Sequence, residues 1–254
     1  VAADAFSLAG RTAVVTGAAR GLGEAIARAF AERGADLALC DRDGDGLAVV
    51  ADSIDGVEVQ TGVFDVRNGD AVREWVADLG ALDVVVNNAG GTFHAPFLEV
   101  SDSAEAALVA ENFTSVTTMV RACVPHLRPG ASIINVTSVE AFRAAPGFAV
   151  YGAMKAAVEH LTRSLALELS DAAIRVNAIA PDALRTPGDA DLLVGDRDYG
   201  AGLALGWGEP SDVAGAAVFL ASEASAFVTG TTVHVDGGSD AARGWRRGAS
   251  GWEP

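Results

Sequence analysis

The chain has 254 residues, half of them hydrophobic, and a formal charge of −16. That charge argues against unspecific binding to nucleic acid or to an anionic membrane surface. Two cysteines, Cys40 and Cys123, are too few for a disulfide framework or a cysteine metal cluster, and no metal is expected.

The length suits one large α/β domain over 1–254, and 29 glycines against 8 prolines point to tight turns inside a packed fold rather than to linkers. Residues 1–9 lack a basic start followed by an apolar run, so they do not read as a secretory signal. No apolar run approaches the ~20 residues that span a bilayer. The expectation is a soluble, cytoplasmic protein.

The first apolar run, 12–16, ends in Gly17-Ala18-Ala19-Arg20-Gly21-Leu22-Gly23. Behind it Ile26, Ala27, Phe30 and Ala31 recur at helical spacing over 24–33, and 36–41 is a second strand. Strand, helix and parallel strand form a right-handed βαβ unit. The glycine spacing is neither the commoner dinucleotide fingerprint nor a Walker loop. It serves either as a structural turn or as a place where backbone approaches a pyrophosphate at a helix N-terminus. Asp41 ends the second strand. It either starts the turn Asp41-Arg42-Asp43-Gly44 or accepts the ribose hydroxyls of an adenosine and repels a 2′-phosphate, which favours NAD over NADP. Arg20 and Arg42 offer partners for that phosphate instead.

The alternation continues with a helix at 44–54, a strand at 57–64 closing on Asp65-Val66, and a helix at 68–79 that Asn68 suits as N-cap. A valine-rich strand at 82–87 runs into Asn88-Ala89-Gly90-Gly91 and reads as buried on both faces. One long helix is expected over 101–127, carrying Asn112, then a strand at 131–137 followed directly by Ser138. A long helix at 151–170 and a strand at 174–180 follow. The segment 182–208 has no clear period and reads as lid-like. A helix over 209–221, a last strand at 232–238 and a tail at 239–254 with Trp245 and Trp252 complete the chain. In an open α/β sheet ligands bind at the carboxyl ends of the strands, where Gly17, Asp41, Asp65, Asn87 and Ser138 all lie.

Tyr151 and Lys155 are four residues apart, hence one turn apart on one helix face. A phenol ordinarily titrates near ~10, and an adjacent ammonium favours its phenolate. Such a tyrosine gives or takes a proton at an alcohol or carbonyl oxygen. Lys155 is the only lysine in the chain. The pair also fits a half-buried aromatic beside a solvated lysine.

Together with Thr16-Gly17-x-x-x-Gly21-x-Gly23, Asp65-Val66, Asn87-Asn88-Ala89-Gly90, Asn112, Ser138, Arg175-Val176-Asn177, Pro181 with Thr186, and Val235-Asp236-Gly237-Gly238, this pair makes the chain resemble the short-chain dehydrogenase/reductase family over nearly its whole length.

The resemblance implies a single-domain, Rossmann-like doubly wound sheet of about seven parallel strands with helices on both faces. It implies hydride transfer between a nicotinamide cofactor and a secondary alcohol or ketone. Tyr151 is then the general acid/base, Lys155 lowers its pKa and holds the nicotinamide ribose, Ser138 binds the substrate oxygen, and Asn112 holds a water that passes the proton on. Gly17, Arg20, Gly21 and Leu22 line the pyrophosphate turn. Asp65 and Val66 lie near the adenine, and Asn88, Ala89 and Gly90 near the nicotinamide-side ribose. Pro181, Leu184 and Thr186 lie near the carboxamide. Asp41 resembles the NAD-using branch, with an NADP-dependent carbonyl or 3-oxoacyl reductase as the alternative, and a non-catalytic nucleotide-binding regulator as a further one. Where the family usually has Pro-Gly, this chain has Pro181-Asp182. Substrate contacts are expected from His94, Ser138, Glu140, Phe148 and Tyr151, with Arg143 and Arg185 as further polar groups. The family also implies a homotetramer or homodimer.

Overall fold

A computed structural model describes residues 4–182, 184–186, 200, 203–248 and 251–253. The apolar runs become β1 (Thr12–Thr16), β2 (Asp36–Asp41), β3 (Val59–Val63), β4 (Leu82–Asn87), β5 (Leu127–Val136), β6 (Arg175–Pro181) and β7 (Thr232–Val235). They pair in parallel as one seven-stranded sheet in the order β3-β2-β1-β4-β5-β6-β7. The order reverses between β1 and β4, and a crevice opens at that point beyond the strand ends.

Alternating residues of β1, β2, β4, β5 and β6 feed two cores. On one face Val15, Leu39, Val86 and Ile134 pack with Ile26 and Phe30 of α1 (Gly21–Glu32), Leu47 of α2 (Gly44–Asp52) and Val213 of α7 (Pro210–Ala221). On the other Val14, Val85, Ile133 and Val176 pack with Val72 of α3 (Gly69–Ala77), Met119 of α5 (Ser115–Cys123) and Val158 of α6 (Ala149–Glu168). Each fully buried large side chain of this kind contributes about 1.5–3 kcal/mol. Local signals set the helix starts. Asp43 caps α2 by accepting from Gly46 N, Asn68 caps α3 by accepting from Ala71 N, and Glu209 and Asp212 form a capping box with Pro210 in the first turn of α7.

The helix expected over 101–127 is broken. It consists of α4 (Asp102–Val109), a π-helical turn (Ala110–Thr114), α5, and a 3-10 turn (Val124–His126). Pro125 stands inside that last turn, and Leu127 already pairs with Leu82, so β5 begins earlier than its apolar pattern indicates. Of the lid-like segment 182–208, residues 183, 187–199, 201 and 202 lie outside the described residues. Its described parts include a bridge between Leu184 and Gly208. The tail carries a short helix, α8 (Ser239–Ala242), and an antiparallel hairpin of β8 (Arg246–Gly248) and β9 (Gly251–Glu253). Among the described residues no helix is long and apolar enough to cross a membrane.

Candidate active site

A cleft of about 850 Å³ runs along the carboxyl ends of β1 to β6. Its β1 side is built from backbone. Gly17 and Gly21 both have positive φ, at 68° and 61°. A Cβ on Gly23 would fall 2.0 Å from the Gly17 carbonyl oxygen, so glycine is required there to bring α1 against the turn. Thr16 Oγ1 accepts from Asn88 N at 3.0 Å and Ala89 N at 2.9 Å, while Asn88 Nδ2 donates to the Thr16 carbonyl at 2.9 Å. The two strand-end turns are thereby stapled together. No described side chain caps the N-terminus of α1, which opens at Gly21 in the cleft wall. Its first N–H groups remain available to an anion.

Further along this side, Asp41 accepts from Ala19 N and Asp43 N, each at 3.0 Å. Arg20 and Arg42 flank it on the cleft wall. The Arg67 guanidinium forks onto Asp65, with Nε 2.9 Å from Oδ1, and holds that carboxyl below its usual range.

The centre of the cleft is set by α6. Lys155, Val158, Thr162 and Ala166 form its buried stripe. Lys155 is 5 % exposed, its Nζ donates to the Val136 carbonyl at 3.0 Å, and it stands 5.5 Å from the centre of the Tyr151 ring. Burial pushes Lys155 down to about 8, and the Glu111 carboxylate pulls it partly back up. Behind it runs a buried polar relay. Asn87 Nδ2 donates to Asn135 Oδ1 at 2.8 Å, Asn135 Nδ2 to Thr162 Oγ1 at 2.9 Å, and Thr162 Oγ1 to the Val158 carbonyl at 2.9 Å. Ser138 follows β5, is nearly buried, and accepts from Glu140 N at 3.2 Å.

At the far end Phe148, Tyr151, Pro181, Asp182, Leu184 and Thr186 line the cleft with Glu140 and Arg143. Arg143 Nη2 donates to Glu140 Oε1 at 2.9 Å and to Asp182 Oδ2 at 3.1 Å.

A single cleft therefore gathers Gly17, Arg20, Gly21, Leu22, Asp41, Asp65, Val66, Asn88, Ala89, Gly90, Ser138, Glu140, Phe148, Tyr151, Lys155, Pro181, Leu184 and Thr186. Asn87, which heads the buried relay, and three more of the residues singled out in the sequence stand off its wall. Asn112 is fully buried in the π turn; its Nδ2 donates to the Gly91 and Leu108 carbonyls at 2.8 and 3.0 Å, so both amide hydrogens are committed to protein. His94 packs edge-on against Phe148 with ring centres 5.2 Å apart. Arg185 points away and pairs with Glu209 at 3.0 Å in an exposed ion pair.

The family model described as enoyl-(acyl carrier protein) reductase matches residues 17–240. A gluconate 5-dehydrogenase of Gluconobacter oxydans is 37 % identical over 248 residues, covering 92 % of this chain and 96 % of that protein. The chain belongs to the short-chain dehydrogenase/reductase family. An L-fucose dehydrogenase of Rattus norvegicus is 36 % identical over 256 residues, covering 95 % of this chain and 93 % of that one. The solved structure of a gluconate 5-dehydrogenase from Burkholderia cenocepacia, in complex with NADP and tartrate, superposes with a TM-score of 0.88 at 36 % identity, covering 94 % of this chain and 98 % of that one. As a short-chain dehydrogenase/reductase, the protein is an oxidoreductase that moves a hydride between a nicotinamide dinucleotide and an alcohol or ketone. The uncapped α1 terminus and the glycine turn, which a Cβ would block, fit the pyrophosphate of such a cofactor.

Two cleft residues of this family member escape a reading of the sequence. Glu111 precedes Asn112, and the π turn there upsets the helical spacing by which its direction would be read. Trp207 sits in the aperiodic segment, where no pattern assigns a face. Thr16 was legible only as part of a glycine motif; its hydroxyl turns out to fasten that motif to the β4 turn.

Proposed function

We propose that the protein is an NAD-dependent secondary-alcohol dehydrogenase in which Tyr151 is the general acid/base. The observation that carries this reading is the environment of Lys155. A buried ammonium on the same helix face, 5.5 Å from the phenol ring, is the group that lowers the cost of a tyrosinate. When bound, the nicotinamide supplies the hydride acceptor. Tyr151 takes the hydroxyl proton of the alcohol, and Ser138 donates to the substrate oxygen as charge develops there. Lys155 holds its charge against the cofactor ribose and the phenolate. Asn112 acts through Gly91, holding the Gly90–Gly91 turn at the cleft wall. In reduction the same proton path runs backwards.

Tyr151→Phe should reduce turnover on the order of 10³-fold, within the range for loss of general acid–base catalysis, while the dissociation constant for NADH stays within a few-fold. Turnover by the Phe variant within a few-fold of wild type sinks the assignment.

Asp41 supports NAD. Its carboxylate stands at the end of β2 where a 2′-phosphate would be repelled. A second reading, use of NADP, is supported by Arg20 and Arg42 on the same wall and by the NADP bound to the Burkholderia relative. Fluorescence titration with NADH and NADPH separates the two. Asp41→Ala should relax an NADH preference, and an equal preference before and after that substitution removes Asp41 from cofactor selection. The same reading gives a cytoplasmic homotetramer or homodimer, and sedimentation of the purified chain as a monomer would remove the assembly part.

A further inference from the structure

The relatives divide by substrate charge. Gluconate carries a carboxylate and L-fucose does not. The far end of the cleft holds a feature that bears on this division, namely how Arg143 is engaged. Its Nη2 donates to two carboxylates at once, Glu140 Oε1 at 2.9 Å and Asp182 Oδ2 at 3.1 Å. A guanidinium nitrogen of this type has only two hydrogens, so that nitrogen is fully committed. Arg143 thus bridges two carboxylates, and all three side chains lie on the cleft wall. The carboxylates are well shielded, with side-chain exposures of 20 % for Glu140 and 11 % for Asp182. Their field is therefore weakly screened where a substrate sits. Glu111 adds another carboxylate to the cleft, beside Gly91 and close enough to Lys155 to pull its titration upward.

Among these described groups three carboxylates stand against Arg143 and Lys155, and the arginine that would greet an incoming carboxylate is already held. Hydroxyl groups meet the opposite situation. Carboxylate oxygens accept only, and they suit the hydroxyl donors of a substrate. Glu140 Oε2 has no partner among the described residues. Phe148 and Trp207 supply apolar wall to the same cleft.

Resting on the dehydrogenase reading above, we propose that this cleft selects an uncharged polyhydroxyl substrate, a sugar or polyol, over an aldonate, and that Asp182 sets this selectivity by holding Arg143 against Glu140.

The test compares a six-carbon pair, D-sorbitol and D-gluconate, with L-fucose as a neutral sugar control. Dissociation constants are measured on enzyme saturated with NAD, alongside kcat/KM. In wild type the neutral compounds should bind more tightly than gluconate. Asp182→Asn removes one carboxylate and partly frees the guanidinium; the ratio of gluconate to sorbitol affinity should rise on the order of tenfold, the size of one weakly screened charge interaction. Glu140→Gln should move it in the same direction and serves where Asp182→Asn does not fold. Arg143→Met in the Asp182→Asn background should abolish the gain.

Tighter binding of gluconate than of both neutral compounds by wild type overturns the proposal. An unchanged ratio in both carboxylate variants overturns it too, as does failure of both neutral compounds to bind. Failure of the dehydrogenase reading shows differently. Turnover of no alcohol would remove that reading, while the binding ratios would still report on the charge of the wall.

Discussion

The two ends of the cleft are made differently. The end under β1, β2 and β3 is backbone held by hydrogen bonds. Positive-φ glycines, the Thr16 hydroxyl and the Asn88 amide fix the course of the main chain along the cleft wall. The end under β5 and β6 is side chains held by charge, with Glu140 and Arg143 from the turn after β5 meeting Asp182 after β6. Backbone construction tolerates little change in shape, because nothing can rotate out of the way. Side-chain construction tolerates shape and is sensitive to charge. The first suits a ligand common to a whole family, and the second a ligand that differs between its members.

The hardest blow to the backbone end is Gly23→Ala. The added Cβ meets the Gly17 oxygen at 2.0 Å, a backbone atom that cannot give without moving the turn. A stability loss of about 3 kcal/mol is expected, the upper part of the range for overpacking, and NADH affinity should fall with it. Thermal unfolding and NADH titration of the variant together measure this. A variant with wild-type melting and affinity would mean that the turn is soft, and the contrast between the two ends would lose its basis.

Lys155 lies where the ends meet, and a pH series sharpens its role. Its ammonium titrates at about 8 in the fold against an ordinary value of 10.5. The folded value is depressed, so between those limits the unfolded chain binds more protons. This residue's contribution to stability is fully present above 10.5 and is lost as pH falls through about 8. Stability of the cofactor-free enzyme should therefore rise by up to about 3 kcal/mol over that window relative to Lys155→Met, less whatever the lost bond to Val136 offsets. Melting curves at both limits suffice. Parallel pH slopes in the two proteins would show that the lysine is not desolvated.

The smallest effect is expected at Arg185, outside the side-chain end. Its exposed pair with Glu209 is worth no more than about 0.5 kcal/mol. Arg185→Ala should leave both melting and Michaelis constants unchanged. A selective rise in the Michaelis constant for an acidic substrate would bring Arg185 back into the cleft and blur the contrast.

This division also decides what the sequence could reveal. The strands and their carboxyl ends were legible because apolar runs and glycines act locally; Val84, Val85 and Val86 declare the buried β4, and Asp41 declares the end of β2. Tyr151 and Lys155 were legible because helical spacing alone puts them on one face. The helix over 101–127 is broken at its π turn, where one inserted residue shifts the helical phase while apolar residues still recur on both sides and so hide the break. Arg185 resembled a cleft residue by position, yet an exposed glutamate claims it. The clamp on Arg143 was invisible because Glu140 and Asp182 are far apart in sequence and meet only when β5 and β6 lie side by side.

The relay from Asn87 through Asn135 to Thr162 has a consequence for the rotational phase of α6. Small and aliphatic side chains such as Val158 and Ala166 would pack against the sheet almost as well if the helix were turned slightly about its axis. A buried hydroxyl that must meet a buried amide allows only one angle. Thr162 lies seven residues beyond Lys155, two turns along the same face, so the angle fixed at one end of the stripe is inherited at the other. The outward side of α6 is thereby left free to vary, because the aim of Tyr151 is set from inside the sheet.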